Sequence, residues 1–298
     1  MQLERLNQEW IDTSAEILQC KTDFITRKYE NISYGEEKLQ ELDIYLPKEE
    51  KESYPVIFNI HGGGFRHCDK HDFHLYPSLY GWQRGYAVIA VNYRLAPKTR
   101  YPGQLSDIYL ALQWMEKHHK EYHLDIQRVF LWGTSAGGNL ALMAGCCANP
   151  GKIKAEYNVS ILGIAAFCPV VDLLKLHGYG SVGEKEYIKT MINSMKKDAF
   201  GTRKRKTCRM SNVQNYMAYK MKPLFLMYGG RDSLIPASEM RKFYKRVQRY
   251  LPQGYCEKLC MEEAEHAGAD VDYFLESNLE PVFQFFERMQ KEHKYNEK

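Results

Sequence analysis

The chain has 298 residues, of which 44% are hydrophobic and 26% are charged, and its formal net charge is +4 at pH 7. This length and apolar content suffice for one large α/β domain, so we expect residues 1–298 to form a single domain. The small, dispersed positive charge argues against nucleic-acid binding, and no apolar run reaches the roughly 18–20 residues of a membrane span.

The first residues and the spacing of the cysteines indicate the cellular compartment of the protein. The first residues contain no apolar segment of the kind that directs secretion. The eight cysteines follow no zinc-binding spacing, which is typical of free thiols in a reducing environment. We therefore expect a cytoplasmic protein that carries no cofactor and no metal.

The N-terminal third begins with two weaker patterns. Apolar residues recur at helical spacing in the first 25 positions, so residues 1–30 are predicted to form an N-terminal helical segment. Residues 38–46 alternate loosely and end before Pro47, which predicts an edge strand.

Strand-like runs and helical patterns then alternate along the chain. Near-continuous apolar runs are typical of parallel strands that are buried on both faces. The alternation predicts a mostly parallel, doubly wound α/β sheet with helices on both faces, which binds ligands beyond the carboxyl ends of its strands. Strands are predicted at 56–60, 87–91, 129–132, 161–167, 224–228 and 256–261, and helices at 105–115, 240–247 and about 271–291, with a break or new start near Pro281.

Residues 172–220 interrupt the alternation. They contain three glycines, at 178, 180 and 183, and then the basic run 203–206. We interpret this segment as a small cap-like insertion over the site. The basic run is expected to be a solvated loop, with the binding of an acidic partner as the alternative.

A serine motif follows the apolar run at 129–132. The sequence Gly133-Thr134-Ser135-Ala136-Gly137 predicts strand, sharp turn and helix, with the serine exposed at the turn. The flanking glycines fit the close approach of strand and helix, and the N–H of Ala136 would lie at a helix N-terminus, where an anion is stabilised. The alternative is an ordinary glycine-containing turn; a phosphate loop is disfavoured because no Lys-Ser/Thr pair follows.

A glycine-rich segment, His61-Gly62-Gly63-Gly64-Phe65, follows another predicted strand. Glycines let backbone N–H groups approach a substrate closely. With Ala136, the N–H groups of Gly63 and Gly64 would form an oxyanion hole for a tetrahedral intermediate. The alternative is a flexible glycine-rich turn.

Two further residues complete a catalytic order. Asp232 follows a predicted strand by a glycine turn, and His266 lies between the last strand and the last helix. Asp232 could be only a turn or capping residue, and His266 only a polar surface residue. The order Ser135, Asp232, His266 is nevertheless that of α/β-hydrolase triads. Ser135 would be the nucleophile, His266 the base and Asp232 its orienting acid, with activity falling as pH drops through roughly 6–7.

Other polar residues favour different interpretations. One loop carries His67, Cys68, Asp69, His71, Asp72 and His74. Their spacing matches no zinc motif, so a metal site is disfavoured there. Asp107 is predicted to be a capping or buried structural acid.

Taken together, these motifs resemble the α/β-hydrolase esterases of the hormone-sensitive-lipase-like group. The resemblance rests on His61–Gly64, the stretch Asn92–Pro97, Gly133–Gly138, Asp232 and His266. The stretch Tyr34–Pro47 is similar to a neighbouring bacterial group that includes acetyl-xylan and feruloyl esterases. The likeness covers about residues 30–290 and implies an α/β-hydrolase fold, the triad and oxyanion hole named above, and no cofactor.

The resemblance also implies an activity. It predicts a serine carboxylesterase that hydrolyses short-chain acyl esters, first of all acetyl esters, through an acyl-enzyme. O-acetylated plant oligosaccharides are the hypothetical natural target. The alternatives are an amidase or peptidase such as a formamidase, a non-catalytic binder of the same fold, and a metal-dependent hydrolase built on the 67–74 loop. The expected partner is a small-molecule ester, and the chain could assemble as a homodimer.

Overall fold

The computed structural model describes residues 11–12, 19–148, 150, 153, 156–176, 182–201, 208–217, 221–266 and 271–296. The strands are β1 (Ile11–Asp12), β2 (Gln19–Cys20), β3 (Lys28–Ser33), β4 (Glu41–Tyr45), β5 (Tyr54–Ile60), β6 (Ala87–Val91), β7 (Leu124–Thr134), β8 (Ile161–Phe167), β9 (Leu224–Gly229) and β10 (Cys256–Met261). The helices are α1 (Tyr76–Gln83), α2 (Gly103–His118), α3 (Ala136–Gly145), α4 (Val182–Phe200), α5 (Ala237–Val247) and α6 (Glu276–Asn296).

The main sheet has eight strands in the order β10-β9-β8-β7-β5-β6-β4-β3. The six strands from β10 to β6 run parallel, whereas β4 and β3 pair antiparallel at one side. The predicted mostly parallel α/β sheet is therefore confirmed. All six strand predictions from 56–60 to 256–261 correspond to β5 to β10.

Helices cover both faces of this sheet. Along β7, Val129 and Leu131 point to one apolar cluster, and Phe130 and Trp132 to another. The first cluster contains the buried sides of α2, α3 and α5, and the second those of α1 and α6. This double burial explains why strands β6, β8 and β9 are continuous apolar runs rather than alternating ones.

The strand order reverses direction at β5. The chain passes from β5 to β6 on one side and then returns to β7 on the other side. At such a switch point, the loops that leave the two neighbouring strands diverge and leave a crevice for a ligand. The loop after β5 holds His61–Gly64, and the turn after β7 holds Ser135.

The predicted N-terminal helical segment is wrong for the residues of 1–30 that the structure describes. There, β1 pairs with β2, and β3 pairs with β4. The N–H of Cys20 also donates to the carbonyl of His71 at 2.6 Å. These residues are held by cross-strand pairing, which the helical spacing of apolar residues along one segment could not reveal. Residues 1–10 and 13–18 lie outside the described residues.

Two smaller predictions also need correction. The strand predicted at 38–46 is β4, but β3 lies outside it and forms the edge. Helix α6 runs through Pro281 without a break, because this proline is still close to the helix start and removes a single backbone hydrogen bond.

The segment predicted as an insertion, residues 172–220, lies between β8 and β9. Its described part contains α4 and three short 3₁₀ turns, at Leu173–Lys175, Arg209–Ser211 and Val213–Asn215. The basic run 203–206 lies outside the described residues. None of the helices in the described ranges combines the length and apolar character that crossing a membrane requires.

Asp107 is a buried structural acid in α2, as predicted. It is 1% exposed, and its carboxylate accepts hydrogen bonds from Gln40 Nε2 (2.8 Å), from the N–H of Arg94 (2.9 Å) and from Arg94 Nη2 (2.7 Å). It thereby joins the loop before β4 to the loop after β6.

We expect Asp107→Ala to lower the free energy of unfolding by about 2–3 kcal/mol, because it leaves buried donors of Gln40 and Arg94 without an acceptor. Urea denaturation measures this change. Asp125→Ala is the matched control, since Asp125 pairs with Arg128 near the surface and its loss should cost about 0–1 kcal/mol. Equal losses in the two variants would contradict a structural role for Asp107.

Candidate active site

Ser135 occupies the sharp turn between β7 and α3 that its motif predicts. Its backbone φ is +54°, a region that residues other than glycine seldom adopt. The N–H of Ser135 donates to the carbonyl of Phe167 (2.8 Å), and its own carbonyl accepts from the N–H groups of Asn139 and Val170 (3.1 Å each). These three hydrogen bonds hold the strained residue in place.

The glycines on either side of this turn are required by backbone packing. A Cβ atom at Gly133 would overlap the backbone of Gly137, and one at Gly137 would overlap the carbonyl oxygens of Ile60 and His61. The turn therefore lies directly against the loop that follows β5.

Ser135, His266 and Asp232 form one chain of hydrogen bonds. His266 Nε2 lies 3.0 Å from Ser135 Oγ, and His266 Nδ1 lies 2.8 Å from Asp232 Oδ2. The carboxylate of Asp232 is fully buried, whereas the side chain of His266 is 21% exposed. The structure thus brings together the three residues that the sequence places in triad order.

The other oxygen of Asp232 fixes the carboxylate in place. Oδ1 accepts the N–H groups of Leu234 (2.9 Å) and Ile235 (2.6 Å). Asp232 is therefore a turn residue as well as the partner of His266. These two N–H donors leave Oδ2 directed at the imidazole.

The loop after β5 presents backbone N–H groups. Gly63 and Gly64 have φ values of +88° and +60°, which glycine adopts readily. The carbonyl of Gly62 accepts from the Tyr93 hydroxyl, and that of Gly63 accepts from the N–H groups of Arg66 and His67, all at 3.0 Å. In a trans peptide, N–H and C=O point in opposite directions, so the N–H groups of Gly63 and Gly64 point away from these partners.

An aromatic pair supports this loop from below. The rings of His61 and Tyr93 stack with centroids 4.3 Å apart, and the Tyr93 hydroxyl also donates to the His61 carbonyl at 3.0 Å. His61 is 1% exposed, and burial lowers the pKa of its imidazole. His61 is thus a neutral packing residue of the loop.

Ala136, the third predicted N–H donor, is the first residue of α3. The first N–H groups of a helix have no partner within the helix and carry partial positive charge. Ala136 is completely buried beside Ser135. The structure therefore places all three predicted donors on the two loops that meet at the strand-order reversal.

Helix α4 lies against the glycine-rich loop. Asp198 forms an ion pair with Arg66 at 3.0 Å, and the carbonyl of Ala199 accepts the N–H of Tyr101 at 2.6 Å. A Cβ atom at Gly64 would come within 3.2 Å of Met195 Sδ. The segment between β8 and β9 therefore borders the site.

The pKa of His266 depends on its negative neighbours. Burial favours the neutral imidazole, but electrostatic interactions and hydrogen bonds with the side chains of Cys168 and Asp232 favour the imidazolium. The net result is a pKa well above 6.5. The imidazole of His266 therefore changes charge at a higher pH than the ordinary value on which the expected fall in activity was based.

Cys168 is the neighbour that sequence reasoning missed. It follows β8 directly and is fully buried beside His266 and Asp232. Its position at the carboxyl end of a parallel strand, where ligands bind, was a signal for it. None of the eight cysteines, all of which lie within the described ranges, forms a disulfide.

The polar residues of the 67–74 loop separate into two groups. His71 Nε2 lies 2.7 Å from Asp43, and His74 Nδ1 lies 2.8 Å from Asp72. Cys68 joins the second group. The two histidines therefore pair with different carboxylates, and the loop does not gather its polar residues into one common metal site.

Comparison with known protein families identifies the chain. The BD-FAE family matches residues 42–247, which is more than half of the chain. The chain belongs to the BD-FAE family. The matched BD-FAE region contains Ser135 and Asp232, whereas His266 lies beyond it.

Two individual relatives are named as hydrolytic enzymes. The probable carboxylic ester hydrolase LipM of Mycobacterium tuberculosis is 26% identical over 241 residues, which cover 75% of this chain and 52% of LipM. Arylacetamide deacetylase of Bos taurus is 40% identical over 105 residues, which cover 33% of this chain and 26% of the deacetylase. The chain thus matches about half, or less, of the length of these relatives.

Solved structures confirm the fold of this BD-FAE member. The truncated form of a carbohydrate esterase from gut microbiota superposes with a TM-score of 0.72, covering 90% of this chain and 98% of that chain, at 17% sequence identity. The fold is therefore that of the α/β-hydrolase esterases, as the motifs predicted.

We expect the imidazole of His266 to titrate above pH 6.5 in the wild type, and Asp232→Asn to lower its pKa because the carboxylate charge that favours the imidazolium is lost. Histidine-selective NMR measures both values, with His266→Gln identifying the resonance. An unchanged pKa in Asp232→Asn would contradict the coupling of these two side chains.

Proposed function

We propose that this protein is a serine carboxylesterase. The observation that carries the proposal is the chain of hydrogen bonds from Ser135 through His266 to Asp232, at 3.0 and 2.8 Å. A nucleophile, a base and an orienting acid in this order are the groups that acyl transfer requires. Membership of the BD-FAE family and the ester hydrolase LipM among the relatives support the same activity.

In the proposed reaction, Ser135 Oγ attacks the ester carbonyl while His266 Nε2 takes its proton. His266 then gives this proton to the leaving alkoxide, and an acyl-enzyme remains on Ser135. Water, activated by the same imidazole, releases the acid. Asp232 keeps the proton-bearing Nδ1 directed at its carboxylate, so that Nε2 is free to act as the base.

The oxyanion of each tetrahedral intermediate is proposed to bind the N–H groups of Gly63, Gly64 and Ala136. The loop carbonyls are already hydrogen-bonded, so these donors need no rearrangement when the charge develops. A single donor of this type is worth about 2.7–4 kcal/mol of transition-state stabilisation.

We further propose that residues 172–220 act as a cap on a single domain. The contacts of α4 with Arg66 and Tyr101 support this role, because they join the segment to the glycine-rich loop. A cytoplasmic location is proposed because none of the eight cysteines, all within the described ranges, forms a disulfide.

For the substrate, we propose small esters with a short acyl chain, acetyl first. The gut-microbiota carbohydrate esterase has the same fold, which makes O-acetylated carbohydrates the natural class to examine. The acyl preference itself comes from the motif resemblance.

An amide substrate is the second candidate. Arylacetamide deacetylase is 40% identical over 105 residues, and its name describes an arylacetamide as the substrate. The same three residues can protonate an amine leaving group as well as an alkoxide. p-Nitroacetanilide distinguishes the two substrate classes.

We expect wild-type protein to hydrolyse p-nitrophenyl acetate fastest, with rates that fall along the series to octanoate, and Ser135→Ala to lose about 10⁴-fold or more of kcat, because it has no nucleophile. Absorbance of p-nitrophenolate measures both results. A fluorophosphonate probe should label the wild type and leave Ser135→Ala unlabelled.

Three other results would contradict the proposed serine esterase. Equal rates in wild type and Ser135→Ala would exclude this serine from the reaction. Loss of activity with a chelator would favour a metal-dependent hydrolase, and lack of labelling in the wild type would favour a non-catalytic binder.

We expect kcat/KM for p-nitrophenyl acetate to fall as pH decreases, with a midpoint above 6.5, since only neutral His266 accepts the serine proton and its pKa is raised. A pH–rate profile measures the midpoint. Activity that stays level down to about pH 4 would refute the assignment of His266 as base.

A further inference from the structure

A thiol lies against the His266–Asp232 pair. Cys168 Sγ, a carboxylate oxygen of Asp232 and a ring nitrogen of His266 all lie within 4.8 Å of one another. The N–H of Cys168 donates to the carbonyl of Met227 at 2.7 Å, which fixes the cysteine between the ends of β8 and β9. Atoms of three different ligand types therefore lie close together beside the imidazole.

This set of atoms selects a class of ion. Zn²⁺ binds thiolate sulfur, imidazole nitrogen and carboxylate oxygen at about 2.0–2.3 Å. Ca²⁺ and Mg²⁺ prefer sites made only of oxygen. A softer divalent transition-metal ion is thus the cation that this site would favour.

The hydrogen bonds show which atoms would bind the ion. Asp232 Oδ1 is used by the N–H groups of Leu234 and Ile235, so Oδ2 is the available oxygen. His266 Nε2 faces Ser135, so Nδ1 is the nitrogen on the side of the carboxylate. The ion would therefore replace the proton between Nδ1 and Oδ2.

We propose that Cys168, Asp232 and His266 form an inhibitory site for Zn²⁺. On binding, the Cys168 thiol releases its proton to solvent and its sulfur bonds to the metal. The proton on His266 Nδ1 moves to Nε2, and Nδ1 also bonds to the metal. A protonated Nε2 cannot accept the proton of Ser135, so nucleophile activation stops.

Inhibition rests on the proposed esterase function, whereas metal binding does not. Cys168, the one ligand outside the triad, has no part in the proposed acyl transfer. Its thiol is therefore available to bind a metal ion. The side chain of His266 is 21% exposed, whereas Cys168 and the Asp232 carboxylate are fully buried, so an ion would have to approach past the imidazole.

Two other groups of the described residues contain metal-ligand atoms. In the group Glu30, Asp43 and His71, the ammonium of Lys70 lies 3.3 Å from Asp43 and already supplies a positive charge. The group Cys68, Asp72 and His74 has the same ligand types as the proposed site. Cys68 is therefore the matched control cysteine.

The test of binding is a Co²⁺ titration of the intact protein, followed by the thiolate-to-cobalt absorption and the visible d–d bands. We expect saturation of the wild-type bands near one equivalent, and displacement of Co²⁺ by Zn²⁺. Cys168→Ala and Cys168→Ser should abolish the bands, and Cys68→Ala should retain them. Circular dichroism confirms that each variant is folded, and the serine variant preserves the side-chain size.

Bands that persist in both Cys168 variants, bands that disappear in Cys68→Ala, or the absence of bands in the wild type would overturn the proposed site. If the wild type has no esterase activity, the proposed function fails, yet the cobalt spectrum still decides whether the site exists.

The test of inhibition uses p-nitrophenyl acetate with increasing Zn²⁺, and each rate is divided by the rate of the same variant without metal. Wild type and Cys68→Ala should be inhibited equally and recover with EDTA. The Cys168 variants should need at least about tenfold more Zn²⁺, the loss of affinity that even an outer-shell change produces. Equal sensitivity of the Cys168 variants would exclude this thiol as the inhibitory ligand.

Discussion

The close approach of two backbone segments at Ser135 is the constraint on which the site depends. The turn after β7 lies so near the loop after β5 that no side chain fits at Gly137. The same turn holds Ser135 at a positive φ and starts α3 at Ala136. A larger residue at either flanking glycine would therefore move the serine and the proposed oxyanion donors together.

The sheet positions the site residues at the ends of several different strands. β5 and β7 position the glycine-rich loop and the serine, while β9 and the loop after β10 position Asp232 and His266. Because parallel strands end at one edge of a sheet, residues 131 positions apart meet within a hydrogen bond. Each site residue therefore needs a sequence motif only at its own strand end, because the sheet brings the strand ends together.

The sequence predicted the parts of the fold that short-range pattern determines. Strands β6, β8 and β9 are apolar runs because both of their faces are buried. Ser135 and Gly63 lie in motifs with a steric cause. The strands β1, β2 and β3 escaped prediction, since their stability comes from pairing with a neighbouring strand rather than from their own periodicity. Cys168 escaped for a related reason: its nearness to His266 arises only when β8 and the loop after β10 are brought together. The direction of the His266 pKa shift likewise depends on burial and neighbouring charges that no motif records.

The position of the acid–base pair along the chain has a consequence for protein synthesis. Ser135 belongs to the middle of the sheet, but β9 and β10, which precede Asp232 and His266, are the last strands to leave the ribosome. A nascent chain that ends before β10 contains Ser135 but lacks His266, the base of the proposed mechanism. Under that mechanism, hydrolysis requires that the outer strands have already joined the sheet.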